Sequence, residues 1–195
     1  MIKIGMVGDI GSGKSFVAKQ FGYPIFNADT EVAKIYKTEK SCFLKLKKKL
    51  PKYINSYPIK KNELGRAILK NKNNLKKIVN IVHPLVRKRM NNFLKKNYKS
   101  KMVVLDIPLL IENKMYDKNV VLIFIEAKKS HINKKLKERS NYNKVLIKNL
   151  RKLQTSIKIK KKLSHYVIKN NFKLSNIKKN VTFVKKQILN DRNRT

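Results

Sequence analysis

Five short apolar runs, separated by stretches in which apolar residues recur every three or four positions, set the pattern of this chain. The runs Ile2 to Val7, Tyr23 to Phe26, Met102 to Leu105, Val120 to Ile125 and His165 to Ile168 read as strands. The third is continuously apolar, as expected of a strand buried on both faces of a parallel sheet. Helical spacing follows the first run at Phe16, Val17, Ala18 and Phe21, and the second at Val32, Ala33, Ile35 and Tyr36. It dominates from Ser41 to about Lys96, with a loop expected between Pro51 and Pro58 and an interruption at His83-Pro84. Lys128 to Leu136 predicts a helix. The polar break Ser140 to Asn143 precedes another from about Lys144 to Lys161, and a terminal helix spans about Asn176 to Leu189, followed by a frayed tail. Strands alternating with helices predict an α/β fold in three layers, with a mostly parallel sheet of five strands and no internal repeat or dividing linker.

The first strand leads into Gly8-Asp9-Ile10-Gly11-Ser12-Gly13-Lys14-Ser15 and then into a helix. This is the Gly-x-x-x-x-Gly-Lys-Ser order of a phosphate-binding P-loop. Its glycines let successive N–H groups turn toward phosphate oxygens, and the helix start adds its positive dipole end. Gly8, Gly11, Ser12, Gly13, Lys14, Ser15 and Phe16 are the candidate nucleotide-binding residues. Lys14 is placed to reach the β and γ phosphates, and the Ser15 hydroxyl to join a Mg²⁺ shell. The expected ligands are ATP and Mg²⁺.

Charge complicates this picture. The formal net charge is +38, with 49 basic against 11 acidic residues. Lysines make up most of the basic residues and are spread over nearly the whole chain with abundant Asn and Ile, a pattern of compositional drift. Nucleic-acid readers concentrate charge, use Arg and interleave aromatics. A drifted, solvated surface and a physiological polyanion partner both stay open, and the expectation is no specific nucleic acid. No apolar run is long enough to span a membrane, and the chain enters its first strand without a leader, so a cytoplasmic protein is expected. Cys42 is the one cysteine and the three histidines lack metal-ligand spacing, which excludes an intramolecular disulfide and a Cys-based zinc site.

Other polar residues punctuate the pattern. Asp29 follows the second strand, where ligands bind in open α/β sheets, or else caps the next helix. Asp106 closes the third strand as a Walker-B aspartate would, or else caps the following turn. His83 is either a capping or core histidine beside Pro84 or part of a binding surface. Arg139 precedes the polar break between two helices, the form of a lid that closes over ATP and supplies a cation.

The combination of this P-loop with Asn27-Ala28-Asp29, His83-Pro84-Leu85-Val86, Asp106-Ile107-Pro108-Leu109-Leu110-Ile111-Glu112-Asn113, Arg139, Gln154 and Val167 to Asn171 resembles the dephospho-coenzyme A kinase family nearly end to end. The resemblance implies a P-loop kinase fold in one domain: a core over 1–30, 100–127 and 162–195, a helical acceptor-binding region over about 31–99 and a lid over about 128–161. It implies transfer of the ATP γ-phosphoryl group to the ribose 3′-hydroxyl of dephospho-coenzyme A, the last step of coenzyme A synthesis. Lys14, Asp29 and Arg139 would be catalytic, Ser15 and Asp106 would hold Mg²⁺, and Asp29, His83, Pro108, Leu109 and Leu110 would bind the acceptor. A monomer or weak homo-oligomer is expected. The chain departs from the family pattern at Asp9, Phe16, Asn27, Lys135, Lys160 and Ser164-His165-Tyr166. The rival readings are another P-loop small-molecule kinase, such as one acting on a nucleoside monophosphate, and a nucleic-acid-binding P-loop ATPase.

Overall fold

The computed structural model describes residues 1–138, 142–152 and 154–192. Its elements in chain order are β1 (Ile2–Gly8), α1 (Lys14–Lys19), β2 (Ile25–Asn27), α2 (Ala28–Thr38), α3 (Lys40–Lys49), α4 (Lys61–Lys70), α5 (Lys72–Lys96), β3 (Met102–Asp106), β4 (Val120–Glu126), α6 (Lys129–Lys137), α7 (Lys144–Lys152), α8 (Ile157–Leu163), β5 (Tyr166–Lys169) and α9 (Leu174–Arg192). They fall into two compact units. One comprises Met1–Phe26 with Asn97–Thr195, the other Asn27–Lys96.

The first unit holds a five-stranded sheet of order β2-β3-β1-β4-β5. β1 runs parallel to β3, with Ile2 opposite Met102, and parallel to β4, with Lys3 opposite Val120; β4 runs parallel to β5. Central β1 is buried except at Lys3, because both of its edges are paired and both of its faces are covered. Ile2, Ile4 and Met6 alternate onto one face and join Met102, Val104, Ile123, Ile125 and Ile168. Val17 and Ala18 of α1, Phe21 just beyond it, and Ile177, Val181, Val184 and Ile188 of α9 complete that core. The α9 residues recur at helical spacing, so a single stripe of the helix is buried. α8 lies against β1 and β4.

In the second unit α2, α3 and α4 each pack on α5. Arg89 of α5 donates to Glu31 at 3.2 Å and to Glu39 at 2.8 Å, tying down both ends of α2. Buried Glu63 accepts from the Ser56 hydroxyl at 2.9 Å and holds the loop before α4. Burial pushes the Cys42 thiol up to about 11, which fits an inert core position better than a reactive one.

Two expected boundaries differ. α5 runs through His83-Pro84 without a break. Proline forfeits one backbone hydrogen bond, but the apolar stripe of Ile78, Val82 and Val86 is buried on both sides of it and keeps the helix on its partners. The helix expected from Lys144 to Lys161 is two helices, α7 and α8. Ser156 adopts an extended conformation between them, and its hydroxyl accepts from the Ile159 N–H at 3.3 Å as an N-cap.

Candidate active site

The phosphate loop is built by close contacts that only glycine permits. Gly13 has φ +85°, and a Cβ there would stand 2.3 Å from the Asn170 amide nitrogen. That nitrogen donates to the Ser12 carbonyl at 2.8 Å, while the Asn170 carbonyl oxygen accepts from the Phe172 N–H at 2.8 Å. Buried Asn170, just past the end of β5, therefore holds the loop to the sheet. At Gly8 a Cβ would meet the Ile125 carbonyl and the Ser12 hydroxyl oxygen, both at 2.8 Å, so the loop leaves β1 pressed against β4.

Gly13 caps α1 without a side-chain hydrogen bond. Helix geometry leaves the first-turn N–H groups of Lys14, Ser15 and Phe16 without intrahelical acceptors, a donor set for an anion. Phe16 contributes here through its backbone, since its ring is exposed. The Lys14 ammonium folds back onto the loop, donating to the Gly8 carbonyl at 3.2 Å and the Asp9 carbonyl at 2.9 Å. Burial, then the charge of Lys160, lowers its pKa to about 8, against the opposing pull of Asp106, Asp9 and Glu112. A cation this poorly solvated gains strongly from an arriving polyphosphate.

Asp106 is buried at the end of β3, beside the strand that feeds the loop. In the following turn Pro108 is exposed and Leu109 adopts φ 56°. Leu110 is buried, and a Cβ on Gly5 would come within 2.6 Å of its Cδ2, so its side chain packs into the core. Glu112 accepts from Lys160 Nζ at 2.8 Å and from the Thr155 N–H at 2.8 Å. Burial works to raise the Glu112 pKa, but these donors outweigh it and hold the carboxyl below its usual range. Lys160, 3% exposed, is thereby fixed near Lys14. Arg151 of α7 meets the Asp9 carboxylate at 3.2 Å.

A cavity of about 700 Å³ adjoins the loop beyond the ends of β4 and β5, with Lys128, His131, Asn170, Asn176 and Asn180 on its walls. His131 and Phe172 meet edge to face at 6.4 Å beside it.

In the second unit Asn27, not Asp29, caps α2: its side-chain oxygen accepts from the Thr30 N–H and hydroxyl, each at 2.9 Å. Asp29 is exposed in the first helical turn. His83 is half-buried on α5, and burial together with Arg87 lowers its pKa, so the imidazole is neutral at pH 7. Arg139 lies outside the described residues.

The family model described as dephospho-CoA kinase matches residues 2–176. A dephospho-CoA kinase of Wolbachia pipientis is 34% identical over 170 residues, spanning 85% of this chain and 87% of that protein. The chain belongs to the dephospho-CoA kinase family. A Thermus thermophilus crystal structure, 25% identical, superposes with a TM-score of 0.79 over 95% of this chain and 97% of its own. Dephospho-CoA kinase from Campylobacter jejuni, 22% identical, shares the fold with a TM-score of 0.63 over 95% and 96% of the two chains. The chain is thus a kinase that phosphorylates dephospho-CoA in the final step of coenzyme A synthesis, favoured over a nucleoside monophosphate-type kinase or a nucleic-acid-binding ATPase.

As a dephospho-CoA kinase the molecule shows three devices that residue patterns alone did not single out. Asn170 clamps the phosphate loop, Glu112 fixes Lys160, and Arg151 reaches Asp9. Asn170 and Glu112 stand inside motifs that carry the family likeness, which was the available signal. Lys160 was marked as a departure from the family pattern but not as a buried, paired cation, and Arg151 lies in a Lys-rich helix with nothing local to mark it.

Proposed function

We propose that Asp29 takes the proton of the ribose 3′-hydroxyl of dephospho-CoA while that oxygen attacks the γ-phosphorus of ATP. The bond from the γ-phosphorus to the bridging oxygen breaks, and ADP leaves with the electron pair. The observation that carries the donor half of this reading is the desolvated Lys14 within a loop of first-turn amides that lack intrahelical acceptors. Lys14 and those amides receive charge from the transferring group, and Lys160 adds a second fixed cation. The cavity bounded by Asn170 and His131 takes the nucleoside part of ATP.

Asp29 stands two residues beyond the end of β2 and is exposed, while the capping task falls to Asn27. An exposed carboxylate at the end of a strand suits a substrate hydroxyl. His83, as a neutral imidazole, and Pro108 and Leu109 contact the acceptor, while Leu110 shapes the turn that presents them. Arg139 supplies a cation from the lid.

The donors fit Mg²⁺. Ser15 and Asp106 offer hard oxygens, and among the described residues no cluster of three or more His, Cys, Asp or Glu exists that would suit a softer or protein-caged ion. Ser15 and Asp106 would hold Mg²⁺, which would supply positive charge against the polyphosphate. Among the described residues no helix is long and apolar enough to cross a membrane, and the proposed setting is cytoplasmic, as a monomer or weak homo-oligomer.

The test is a coupled ADP-release assay with Mg-ATP and dephospho-CoA, AMP or no acceptor. Asp29→Asn is expected to lower kcat by about 100-fold or more with ATP binding unchanged. Full turnover by Asp29→Asn would remove Asp29 as the base.

A further inference from the structure

The phosphate loop of this chain carries a carboxylate in its own second position. Asp9 is largely enclosed, its Oδ1 accepts from the Ile10 N–H at 2.7 Å, and its Oδ2 meets Arg151 at 3.2 Å. The two residues lie 142 positions apart, so the contact is made by the fold and not by local sequence. Asp9 and Arg151 also face one cavity of about 340 Å³, walled further by Lys129, Gln154 and Ser156. A negative charge on a loop whose task is to bind a polyanion opposes that ligand. An arginine held on the same carboxylate cancels it.

We infer that Arg151 is a positioning residue for the nucleotide: it neutralises Asp9 so that the phosphate loop accepts a polyphosphate. This rests on the loop being the ATP site, and not on the identity of the acceptor. It also gives α7 a function distinct from that of Arg139, since Arg151 acts through Asp9 and not on the reacting atoms. Arginine suits the task because its charge is permanent and its fork grips one carboxylate oxygen while staying hydrated, whereas Lys14 is committed to the backbone carbonyls of Gly8 and Asp9.

The experiment is a double-mutant cycle on the full chain, read as Kd for Mg-bound N-methylanthraniloyl-ADP and as KM for ATP in the coupled assay. Arg151→Ala is expected to weaken both about three- to tenfold at low salt, with kcat nearly unchanged and the effect shrinking as NaCl is raised. Asp9→Gly should abolish that penalty, so that Asp9→Gly/Arg151→Ala binds at least as tightly as wild type, and Arg151→Lys should recover part of the loss. Equal penalties for Arg151→Ala in the wild-type and Asp9→Gly backgrounds would overturn the inference, as would a loss confined to kcat. Thermal melts of each variant separate misfolding from binding. Nucleotide binding without phosphorylation of dephospho-CoA would count against the acceptor reading alone.

Discussion

Lys14 is the residue whose surroundings speak most directly to chemistry. Its pKa near 8 lies below the ordinary 10.5, so between those values the unfolded chain holds more protons than the folded one. The stability of the nucleotide-free protein therefore rises with pH across that window. Bound phosphates raise the same pKa again, so nucleotide binding takes up a proton. Calorimetry of ATP binding at pH 9 in buffers of different ionisation enthalpy is expected to show uptake approaching one proton, falling to about a tenth at pH 7. In Lys14→Arg, which stays charged, the uptake should vanish. Binding heats at pH 9 that are independent of the buffer would contradict the depressed pKa. The loop and Lys14 were legible from eight consecutive residues, because a P-loop is a local device. For Asp29 the sequence left a binding role and a capping role open, and the structure decides only the second. Both Asn27 and Asp29 are good caps, and which of them caps α2 depends on where β2 ends; the structure gives the task to Asn27, which accepts from Thr30.

Among the elements, the strands were the most readable, since continuous apolar runs in a buried sheet leave little ambiguity. The α7–α8 boundary was not. In that lysine-rich tract the periodicity carries across the gap, and the cap at Ser156 is a weak signal among so many polar residues. The consequence is substantial, because α8 begins there and delivers Lys160 to Glu112 across 48 positions. Breaking that pair from one side strands a buried ammonium. Glu112→Ala is expected to cost about 3–5 kcal/mol in urea unfolding, while Glu112→Ala/Lys160→Met recovers most of the loss. A single-mutant cost below about 1 kcal/mol would show that Lys160 finds another partner or reaches water. Burial of one lysine among dozens is set by a tertiary contact, so no sequence window displays it.

At the scale of the whole molecule the dominant quantity is the charge of +38. Self-repulsion of this size opposes the compact state and is screened by salt, so the melting temperature is expected to rise from about 20 to 500 mM NaCl. Incidental adhesion to RNA follows from the same charge. Binding to a short single-stranded RNA should fall log-linearly with salt, disappear by about 200 mM and show no sequence preference. Salt-resistant or sequence-selective binding, or RNA-stimulated ATP hydrolysis, would reveal a physiological partner. The order of the strands has a different consequence, one that concerns time. β1 leaves the ribosome first, yet its partner in the sheet begins about 100 residues later, Ile2 pairing with Met102, and β4 follows later still. At roughly 5–20 residues per second this buried central strand waits some 5–20 s for the first of its neighbours. Throughout synthesis of the second unit, β1 is thus a nascent hydrophobic segment with both edges open. The interval in which this chain most needs a chaperone is fixed by the insertion of Asn27–Lys96 into the unit that holds the sheet.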